Sequence, residues 1–362
     1  MPRKAGTKQQ SLILPFGPDV ERLKIPSTRY QGSKGKLAHW IWDRIAPLDF
    51  ANALDAFGGT AVVSYVLKQR GIRVIYNDYL KSNYYVGLAL IENNSTTLSS
   101  EDVSHVLTRG PTRAYKTFIH ETFGDIYYTD QENQWLDVVT QNIHCIHKRF
   151  KRALAYYALF QACLVKRPFN LFHRKNLYIR FGKVKRSFGN KTTWDRPFEE
   201  HFNDFVREIN KLVFDNGKKN KAYNKDVFDI PGSYDLVYLD PPYTSPRGVS
   251  VDYLDFYHFL EGLVRYDDWG SLIDYRTKHR RFFRRPNPWN DNTKLRRAFR
   301  ELFDRFKDSL LVVSYRSDGI PSIPELRSDL SLFKRRVSVH TLDNYKYVLS
   351  NGRTSEVLLI AE

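Results

Sequence analysis

The sequence predicts an α/β fold with a mostly parallel sheet, a terminal antiparallel hairpin, and an inserted domain built from helices and a hairpin. Three features support this prediction. Strand-like apolar runs alternate with helical patterns near both ends of the chain, a long basic and aromatic stretch separates them, and the C-terminal residues alternate around an Asn-Gly turn. The 362 residues are enough to bury a large core.

Three regions follow one another along the chain. We expect residues 1–28 to form a polar N-terminal arm, residues 29–95 and 205–362 to form the α/β domain, and residues 96–204 to form the insert. No apolar run approaches the roughly 18 residues of a membrane span, and no signal peptide is visible. The two cysteines and the scattered histidines predict a reducing cytosolic compartment and no metal site.

The charge balance is strongly basic, with 57 Lys and Arg against 40 Asp and Glu and a net charge of +17. Such an excess favours a polyanionic partner. Nucleic acid is favoured over an anionic membrane surface because no basic amphipathic helix with a wide apolar face dominates the sequence. Aromatic residues reach 15%, which suits base stacking, although most of them are expected in the core.

The first motif is the turn Tyr30-Gln31-Gly32-Ser33-Lys34-Gly35-Lys36, which precedes a predicted helix over 37–46. Glycines let the backbone approach a ligand, and a helix N-terminus favours anions, so a carboxylate or a phosphate fits here. An ordinary surface turn is the alternative interpretation.

A βαβ unit follows. Its strand ends in Asp55-Ala56-Phe57-Gly58-Gly59-Thr60, its helix covers 62–69, and its second strand, 72–76, ends just before Asp78. An acidic residue about twenty positions after a glycine turn is typical of nucleoside-binding α/β folds, where it accepts hydrogen bonds from ribose hydroxyls. The absence of a GxGxxG pattern disfavours a dinucleotide. A structural turn with a capping Asp is the alternative.

The insert is predicted to contain one or two helices over 135–165 and a β-hairpin over 170–187. Thirteen Lys and Arg and no Asp or Glu lie between Lys148 and Lys191, with aromatic residues interleaved. This pattern predicts contacts with a DNA backbone and its grooves, against the alternative of a solvated face. A second basic cluster covers 275–285. The candidate DNA contacts are Lys166, Arg167, Asn170, His173, Arg174, Lys175, Arg180, Lys183, Lys185 and Arg186.

The most informative stretch is Leu236-Val237-Tyr238-Leu239-Asp240-Pro241-Pro242-Tyr243. Its first five residues are typical of a buried strand, and the two prolines end that strand. In open α/β sheets ligands bind outside the carboxyl ends of the strands. The carboxylate of Asp240 and the carbonyl of Pro241 are acceptors, and Tyr243 adds a flat face, which together suit a planar heteroaromatic amine. A proline turn with a capping Asp is the alternative.

The rest of the chain completes the predicted sheet. Asp226, on the segment before the central strand, is placed to meet the adenine ring of a nucleoside cofactor. Another buried strand is predicted over 310–315. The terminal hairpin is predicted from 336–342, 345–349 and 355–360, with its turn at Ser350-Asn351-Gly352-Arg353.

Together these motifs resemble the Dam-like, alpha-group adenine-specific DNA methyltransferases, in that family's order from about residue 28 to the C-terminus. The resemblance implies an S-adenosylmethionine-dependent, Rossmann-like methyltransferase domain and places the basic insert where the family has its target-recognition domain. The residues Tyr257-His258 and the closing hairpin also match. Two departures are Ala56, where Pro is usual, and Ala61, where a second Gly is common and whose side chain is expected to tighten the methionine pocket slightly.

The resemblance also implies roles for single residues. Asp78 would hold the cofactor ribose, Asp226 its adenine amino group and Lys34 its methionine carboxylate, with Phe57 packed nearby. The implied cofactor-binding residues are Tyr30, Gly32, Ser33, Lys34, Asp55, Ala56, Phe57, Gly58, Gly59, Thr60, Asp78, Asp226 and Asp240.

The implied reaction is methylation of adenine N6 in duplex DNA. Asp240, Pro241, Pro242 and Tyr243 would be catalytic: Tyr243 would stack on the flipped base while Asp240 and the Pro241 carbonyl accept the two amino hydrogens. No metal is expected. The expected partners are double-stranded DNA and a cognate restriction endonuclease, with no membrane, for a monomer or weak dimer in a prokaryotic or phage-type cytoplasm. Methylation of cytosine N4, RNA or protein glutamine, and DNA binding by a decayed enzyme, remain alternatives.

Overall fold

The structure is a computed structural model and describes residues 30, 32–182, 191–244, 252–343 and 354–362. Seven strands form one sheet in the order β3-β2-β1-β4-β5-β7-β6. The strands are β1 (Asn52–Asp55), β2 (Arg73–Asn77), β3 (Lys221–Tyr223), β4 (Leu236–Leu239), β5 (Leu310–Arg316), β6 (Val337–Leu342) and β7 (Glu356–Ala361). The pairs from β3 to β5 are parallel, and β7 runs antiparallel to both of its neighbours. The mostly parallel sheet predicted from the sequence is confirmed.

Helices cover the sheet on both faces. In chain order they are α1 (Ala38–Ile45), α2 (Val62–Gln69), α3 (Lys81–Gly87), α4 (Ser100–Leu107), α5 (Phe118–Thr122), α6 (Asp130–His144), α7 (Arg149–Val165), α8 (Tyr178–Phe181), α9 (Lys191–Asp195), α10 (Phe198–Leu212), α11 (Tyr253–Val264), α12 (Trp269–Leu272), α13 (Asn292–Arg305) and α14 (Ile323–Leu330). No helix in the described part of the chain is long and apolar enough to span a membrane.

The inner strands β1, β4, β5 and β7 are buried on both faces, which explains their largely apolar sequences. Ala53 and Leu236 pack into one hydrophobic cluster, whereas their neighbours Leu54 and Val237 pack into a second cluster. Adjacent side chains of a strand point to opposite faces, so the two clusters lie on the two sides of the sheet. The helices α13 and α14 belong to the second cluster, and α6, α7 and α10 belong to the first.

The insert therefore shares its core with one face of the sheet. The first cluster runs without a break from strand residues such as Tyr76 to Leu154 of α7 and Phe202 of α10. The predicted boundary at residue 204 falls inside α10, which is one continuous helix. The domain boundaries stay a prediction.

The hairpin predicted over 170–187 is wrong for the described residues up to 182, which contain the short helix α8 and no strand. The apolar alternation there has a different cause, because Leu171, Phe172 and Leu177 are all anchored in the core. The Phe172 N–H donates to the Phe256 carbonyl at 2.9 Å instead of to a hairpin partner. Residues 183–187 lie outside the described part of the chain.

At the C-terminus β6 and β7 pair antiparallel in register from Val337 with Ala361 to Leu342 with Glu356. This confirms the first and last segments of the predicted hairpin. The middle segment, 345–349, and the Asn-Gly turn lie outside the described residues.

Candidate active site

Three carboxylates follow the carboxyl ends of neighbouring parallel strands. Asp55 is the last residue of β1, Asp78 directly follows β2, and Asp240 directly follows β4. They line one cleft at the point where the strand order reverses, between β1 and β4, which is where ligands bind in such sheets. The thirteen predicted cofactor residues all line this cleft: Tyr30, Gly32, Ser33, Lys34, Asp55, Ala56, Phe57, Gly58, Gly59, Thr60, Asp78, Asp226 and Asp240.

The glycine turn after β1 is fixed by close packing. A Cβ on Gly58 would lie 2.1 Å from the ring of Tyr76, so only glycine fits there. Gly59 has a φ of +50°, and its N–H donates to Asp78 Oδ2 at 2.8 Å. Ala61, which stands where a second glycine is common, also has a positive φ of 61°. It is buried but does not line the cleft, so its backbone strain, not its side chain, distinguishes it from glycine.

Asp78 is held by two backbone donors. Besides Gly59, the N–H of Leu80 donates to Asp78 Oδ1 at 2.8 Å. Burial nevertheless raises the pKa of Asp78 to about 6, because these hydrogen bonds only partly offset the loss of water around the carboxylate. The two backbone hydrogen bonds fix the orientation of the Asp78 carboxylate before any ligand binds.

Asp55 has an oxygen with no partner. The carboxylate is 1% exposed, and its Oδ2 accepts a hydrogen bond from the Ser64 hydroxyl at 2.7 Å. Its Oδ1 has no hydrogen-bond partner among the described residues. Burial raises the pKa of Asp55 to about 7. A buried acceptor of this kind on a cleft wall fits a ligand that brings a cationic donor.

Aromatic rings close one side of the cleft. Phe57 meets Trp289 edge to face, with ring centroids 5.0 Å apart, and Phe228 lies parallel to Trp289 at 6.2 Å. Asp226 is exposed and caps the short turn that carries Phe228. The cleft-lining segment 286–290, which includes Trp289, was missed from the sequence because no motif marks it.

Tyr30 stacks on Tyr257 of α11 with ring centroids 3.8 Å apart, and Asn83 donates to its hydroxyl at 3.2 Å. The neighbouring His258 faces the core instead, where its Nε2 lies 3.0 Å from the Phe172 carbonyl. Burial lowers the pKa of His258 to about 3, so the ring is neutral. Tyr257 therefore supports the cleft, and His258 supports the insert.

Asp240 belongs to a buried ionic cluster. Its Oδ1 accepts from the Tyr243 hydroxyl at 2.7 Å and lies 3.0 Å from Lys34 Nζ. Lys34 also lies 3.3 Å from Glu356 Oε1 and donates to the Tyr243 hydroxyl. The charge of Lys34 is thus matched by two protein carboxylates. Its expected contact with the cofactor carboxylate stays a prediction.

The Tyr243 ring packs edge-on against Tyr315, with centroids 5.4 Å apart, and is only 7% exposed. Pro242 lines the cleft beside it, and Pro241 is buried. Base stacking by Tyr243 stays a prediction that requires its ring to become accessible.

Residues 30–307 match the family described as MethyltransfD12, D12 class N6 adenine-specific DNA methyltransferase. This chain belongs to that family. It is 31% identical to the type II methyltransferase M2.HphI of Haemophilus parahaemolyticus, over 87% of this chain and 90% of that protein. It is 24% identical to M.NlaIII of Neisseria lactamica over 86% and 90% of the two chains. With the modification methylase StsI of Streptococcus sanguinis it is 27% identical over 77% of this chain but only 42% of that protein.

The protein is thus an adenine-specific DNA methyltransferase of the Dam-like type, as its motifs predicted. Its family implies S-adenosylmethionine as cofactor. The unpartnered Asp55 oxygen and the pre-oriented Asp78 carboxylate fit the cationic and ribose parts of that cofactor. In the described residues no cluster of three or more His, Cys, Asp or Glu is placed to hold a metal ion.

Three of the methyltransferase's predicted DNA contacts are buried and have protein partners. Lys166 and Arg180 both pair with Glu132, at 2.9 Å and 2.6 Å. Arg167 is 1% exposed, donates to the Leu171 carbonyl at 2.6 Å and lies over the Tyr127 ring. A buried charge needs partners inside the protein, and these cations have them, so they stabilise the insert. We therefore do not assign them to DNA.

The other predicted DNA contacts of the methyltransferase are exposed, half-buried or outside the described residues. Arg174 and Lys175 are exposed, although Lys175 pairs with Asp125 at 2.6 Å. His173 is half-buried, and burial lowers its pKa to about 4. Asn170 is half-buried with a φ of +57°. Lys183, Lys185 and Arg186 lie outside the described residues.

Proposed function

We propose that this methyltransferase modifies the N6 of adenine at one short sequence in duplex DNA, with S-adenosylmethionine as methyl donor, and protects that sequence from a cognate restriction endonuclease. The observation that carries the proposal is the position of Asp240. It follows the central strand at the switch point of the sheet, with Oδ1 held by Lys34 and Tyr243 and with the carboxylate on the cleft wall. The names of its relatives as type II methyltransferases and modification methylases support the pairing with an endonuclease. We further propose a monomer or weak dimer that acts in a bacterial or phage-infected cytoplasm without a metal ion.

Four parts of the cleft would hold the cofactor. Asp78, fixed by the N–H groups of Gly59 and Leu80, would accept from ribose hydroxyls. The free Oδ1 of Asp55 would accept from the cationic amino group, and Asp226 would accept from the adenine amine. The edge-to-face rings of Phe57 and Trp289 would pack against the flat base. When bound, S-adenosylmethionine supplies an electrophilic methyl group whose transfer leaves a positive charge on the accepting nitrogen.

The exocyclic amine of adenine is a weak nucleophile because its lone pair is delocalised into the ring. Acceptors that bind both amino hydrogens draw the nitrogen toward tetrahedral geometry and free that lone pair. The Asp240 carboxylate and the Pro241 carbonyl are proposed for this task, and an ionised Asp240 also stabilises the charge that develops on the nitrogen. Burial raises the pKa of Asp240, so its carboxylate is also suited to receive the surplus proton at Oδ2.

The target adenine has to leave the duplex stack to reach this cleft. Tyr243 would provide the face on which the flipped base stacks, once its ring face becomes accessible while its hydroxyl stays bonded to Asp240. Arg174 and Lys175 are exposed cations of the insert, and the neighbouring α8 exposes the rings of Tyr178 and Phe181. Cations beside exposed rings suit a DNA surface that is locally unstacked.

The test is the transfer of labelled methyl groups from S-adenosylmethionine to unmethylated genomic DNA, followed by nucleoside analysis and mapping of modified sites. We expect N6-methyladenine in one short sequence context. An Asp240→Asn variant is expected to bind cofactor normally and lose at least ~100-fold in turnover. Label on cytosine would change the assigned base, and label only on RNA or protein would remove DNA as the substrate. Near-wild-type turnover by Asp240→Asn would reject the assigned role of that carboxylate.

A further inference from the structure

The cluster around Asp240 brings together residues that are far apart in sequence. Lys34 comes from the turn before α1, Asp240 from the end of β4, and Glu356 from the first residue of β7. The Lys34 carbonyl accepts from the N–H groups of Leu37 and Ala38, both at 2.8 Å, so the lysine backbone is anchored to the start of α1. The ammonium group of Lys34 extends into the site from this anchored backbone.

The two carboxylate oxygens of Asp240 lie in different environments. Oδ1 receives the Tyr243 hydroxyl at 2.7 Å and lies 3.0 Å from Lys34 Nζ. No described residue donates a hydrogen bond to Oδ2, although the carboxylate lines the cleft. The side chain of Asp240 is 15% exposed, whereas those of Lys34 and Glu356 are 6% and 0% exposed. Among the described residues, Oδ2 is therefore the oxygen of this cluster that a ligand can use.

We propose that Lys34 and Glu356 are a positioning pair that fixes Oδ1 of Asp240 and leaves Oδ2 as the single oxygen that accepts the target amino group. This inference rests on the proposed function and adds two residues to it, neither of which touches the substrate. Lys34 keeps the catalytic carboxylate ionised and oriented. Glu356 holds the lysine in place and balances its charge, because one ammonium faces two buried carboxylates.

The balance of charges explains why both residues are needed. Burial raises the pKa of Asp240, the ammonium of Lys34 lowers it, and Glu356 raises it again. Without Lys34, the carboxylate of Asp240 would lie near Glu356 with no cation between them, and one of the two would hold a proton at neutral pH. A protonated Asp240 is a poorer acceptor and cannot take up the proton of the amine.

Other titratable groups face Asp240 and have to be separated from this effect. The hydroxyl of Tyr243 is bonded to it directly, and Asp55, Tyr238 and Tyr253 also feel its charge. The pKa values of Tyr238 and Tyr253 lie above their usual value, so these two groups do not titrate near neutrality. Asp55 does titrate near pH 7, but we assign it to the cofactor, so its effect belongs to cofactor affinity. Turnover measured at saturating cofactor isolates Asp240.

The experiment compares kcat against pH for Lys34→Met and Glu356→Gln at saturating S-adenosylmethionine and genomic DNA. The acidic limb of this profile reports the ionisation of Asp240 in the bound enzyme. For Lys34→Met we expect the limb to move up by about one pH unit or more and kcat at pH 7.5 to fall by roughly 100-fold. For Glu356→Gln we expect the acidic limb to shift to lower pH, by a smaller amount. Opposite displacements by two contacting residues are not expected from a loss of packing.

Two further variants keep the test decisive. Lys34→Arg retains the cation, so its limb should stay near the wild-type position even though the larger head group lowers kcat. Lys68→Met removes a buried ammonium that donates to the carbonyls of Leu90 and Asn93, at 3.2 Å and 2.8 Å, and has no contact with Asp240 among the described residues. It should lower thermal stability and leave the limb unchanged. If Lys34→Met does not fold, the pair Lys34→Arg and Glu356→Gln still gives the predicted contrast.

Direct titration with S-adenosylmethionine separates this role from a role in cofactor binding. We expect Kd for Lys34→Met within about threefold of wild type, since the positioning role does not touch the cofactor. A Kd raised more than ~10-fold with normal kcat at saturation would overturn the proposal in favour of a cofactor carboxylate contact. An unmoved limb in Lys34→Met with kcat near wild type would also overturn it while leaving the proposed methyl transfer intact. Absence of transfer to DNA by the wild-type enzyme would reject the proposed function itself.

Discussion

The buried carboxylate of Asp55 predicts that cofactor affinity depends on pH. Its pKa is raised to about 7 by burial, and its Oδ1 has no partner among the described residues. If Asp55 must be ionised to accept the cationic amino group, the observed Kd for S-adenosylmethionine rises by the factor 1 + 10^(pKa − pH). With a pKa of about 7 this factor is roughly 11 at pH 6 and roughly 1.3 at pH 7.5. Asp55 alone should therefore tighten binding about eightfold over that range.

Asp78 adds a smaller dependence of the same sign. Its pKa is raised to about 6, which corresponds to a factor of roughly two at pH 6 and almost none at pH 7.5. The wild-type enzyme should thus bind S-adenosylmethionine roughly 15-fold more tightly at pH 7.5 than at pH 6. In Asp55→Asn the Ser64 hydroxyl keeps an acceptor, and only the twofold effect of Asp78 should remain.

Isothermal titration with S-adenosylmethionine at pH 6, 6.5, 7 and 7.5 measures this dependence. The upper limit is chosen because α-amino groups lose their own proton near pH 8. At pH 7 about half of the Asp55 side chains are protonated, so binding should release about half a proton from this site, which two buffers of different ionisation enthalpy reveal. A flat Kd in the wild type, or the same slope in Asp55→Asn, would refute the assignment of Asp55.

Three further predictions concern stability, the glycine turn and DNA. Glu132→Gln leaves the buried cations Lys166 and Arg180 without their carboxylate and should cost about 3 kcal/mol in urea unfolding at pH 7. Burial raises the pKa of Glu132, but the two cations hold it below its usual value. The stabilisation by Glu132 should therefore be present above about pH 4.5 and be lost as the pH falls through the pKa of the folded state. An equal loss of unfolding free energy in Glu132→Gln at acid pH would contradict this. Gly58→Ala forces a methyl group into a tyrosine ring of β2 and should weaken cofactor binding at least ~10-fold, whereas unchanged binding would mean that the turn adapts. Arg174→Ala should weaken DNA binding and reduce the slope of log K against log salt by about one unit, and an unchanged slope would remove this residue from the phosphate contacts.

Local sequence signals were sufficient for the elements around the cleft. The helix predicted over 62–69 is α2 itself, and β1, β2 and β4 lie within a residue or two of their expected positions. Glycine turns and prolines mark these boundaries because glycine adopts backbone conformations that other residues avoid, and proline cannot continue a strand ladder. The chain order of the motifs then determined which strand ends carry Asp55, Asp78 and Asp240.

Features that depend on tertiary contacts could not be predicted in this way. The run without acids between 148 and 191 indicated a charged surface, yet Lys166 and Arg180 turn inward to Glu132, which lies outside that run. The alternating apolar residues near Phe172 indicated a hairpin because anchoring in a core and pairing in a sheet leave the same pattern. Trp289 was missed for the opposite reason, since nothing in its local sequence marks a cleft wall.

The same limit applies to Lys34, and here it affects the chemistry. A lysine after a glycine turn at a helix start indicated a contact with an anionic ligand, which stays a prediction, but it gave no sign of the protein partners of this lysine. Its anions are Asp240 and Glu356, which lie more than 200 residues away in sequence and reach it only because β4, β5 and β7 are neighbours in the sheet. Inserting the antiparallel strand β7 between β5 and β6 places the first residue of that strand at the ligand-binding edge. In a fully parallel sheet the first residue of β7 would lie at the opposite edge. Because β7 is antiparallel, its first residue, Glu356, adds a carboxylate to the active site.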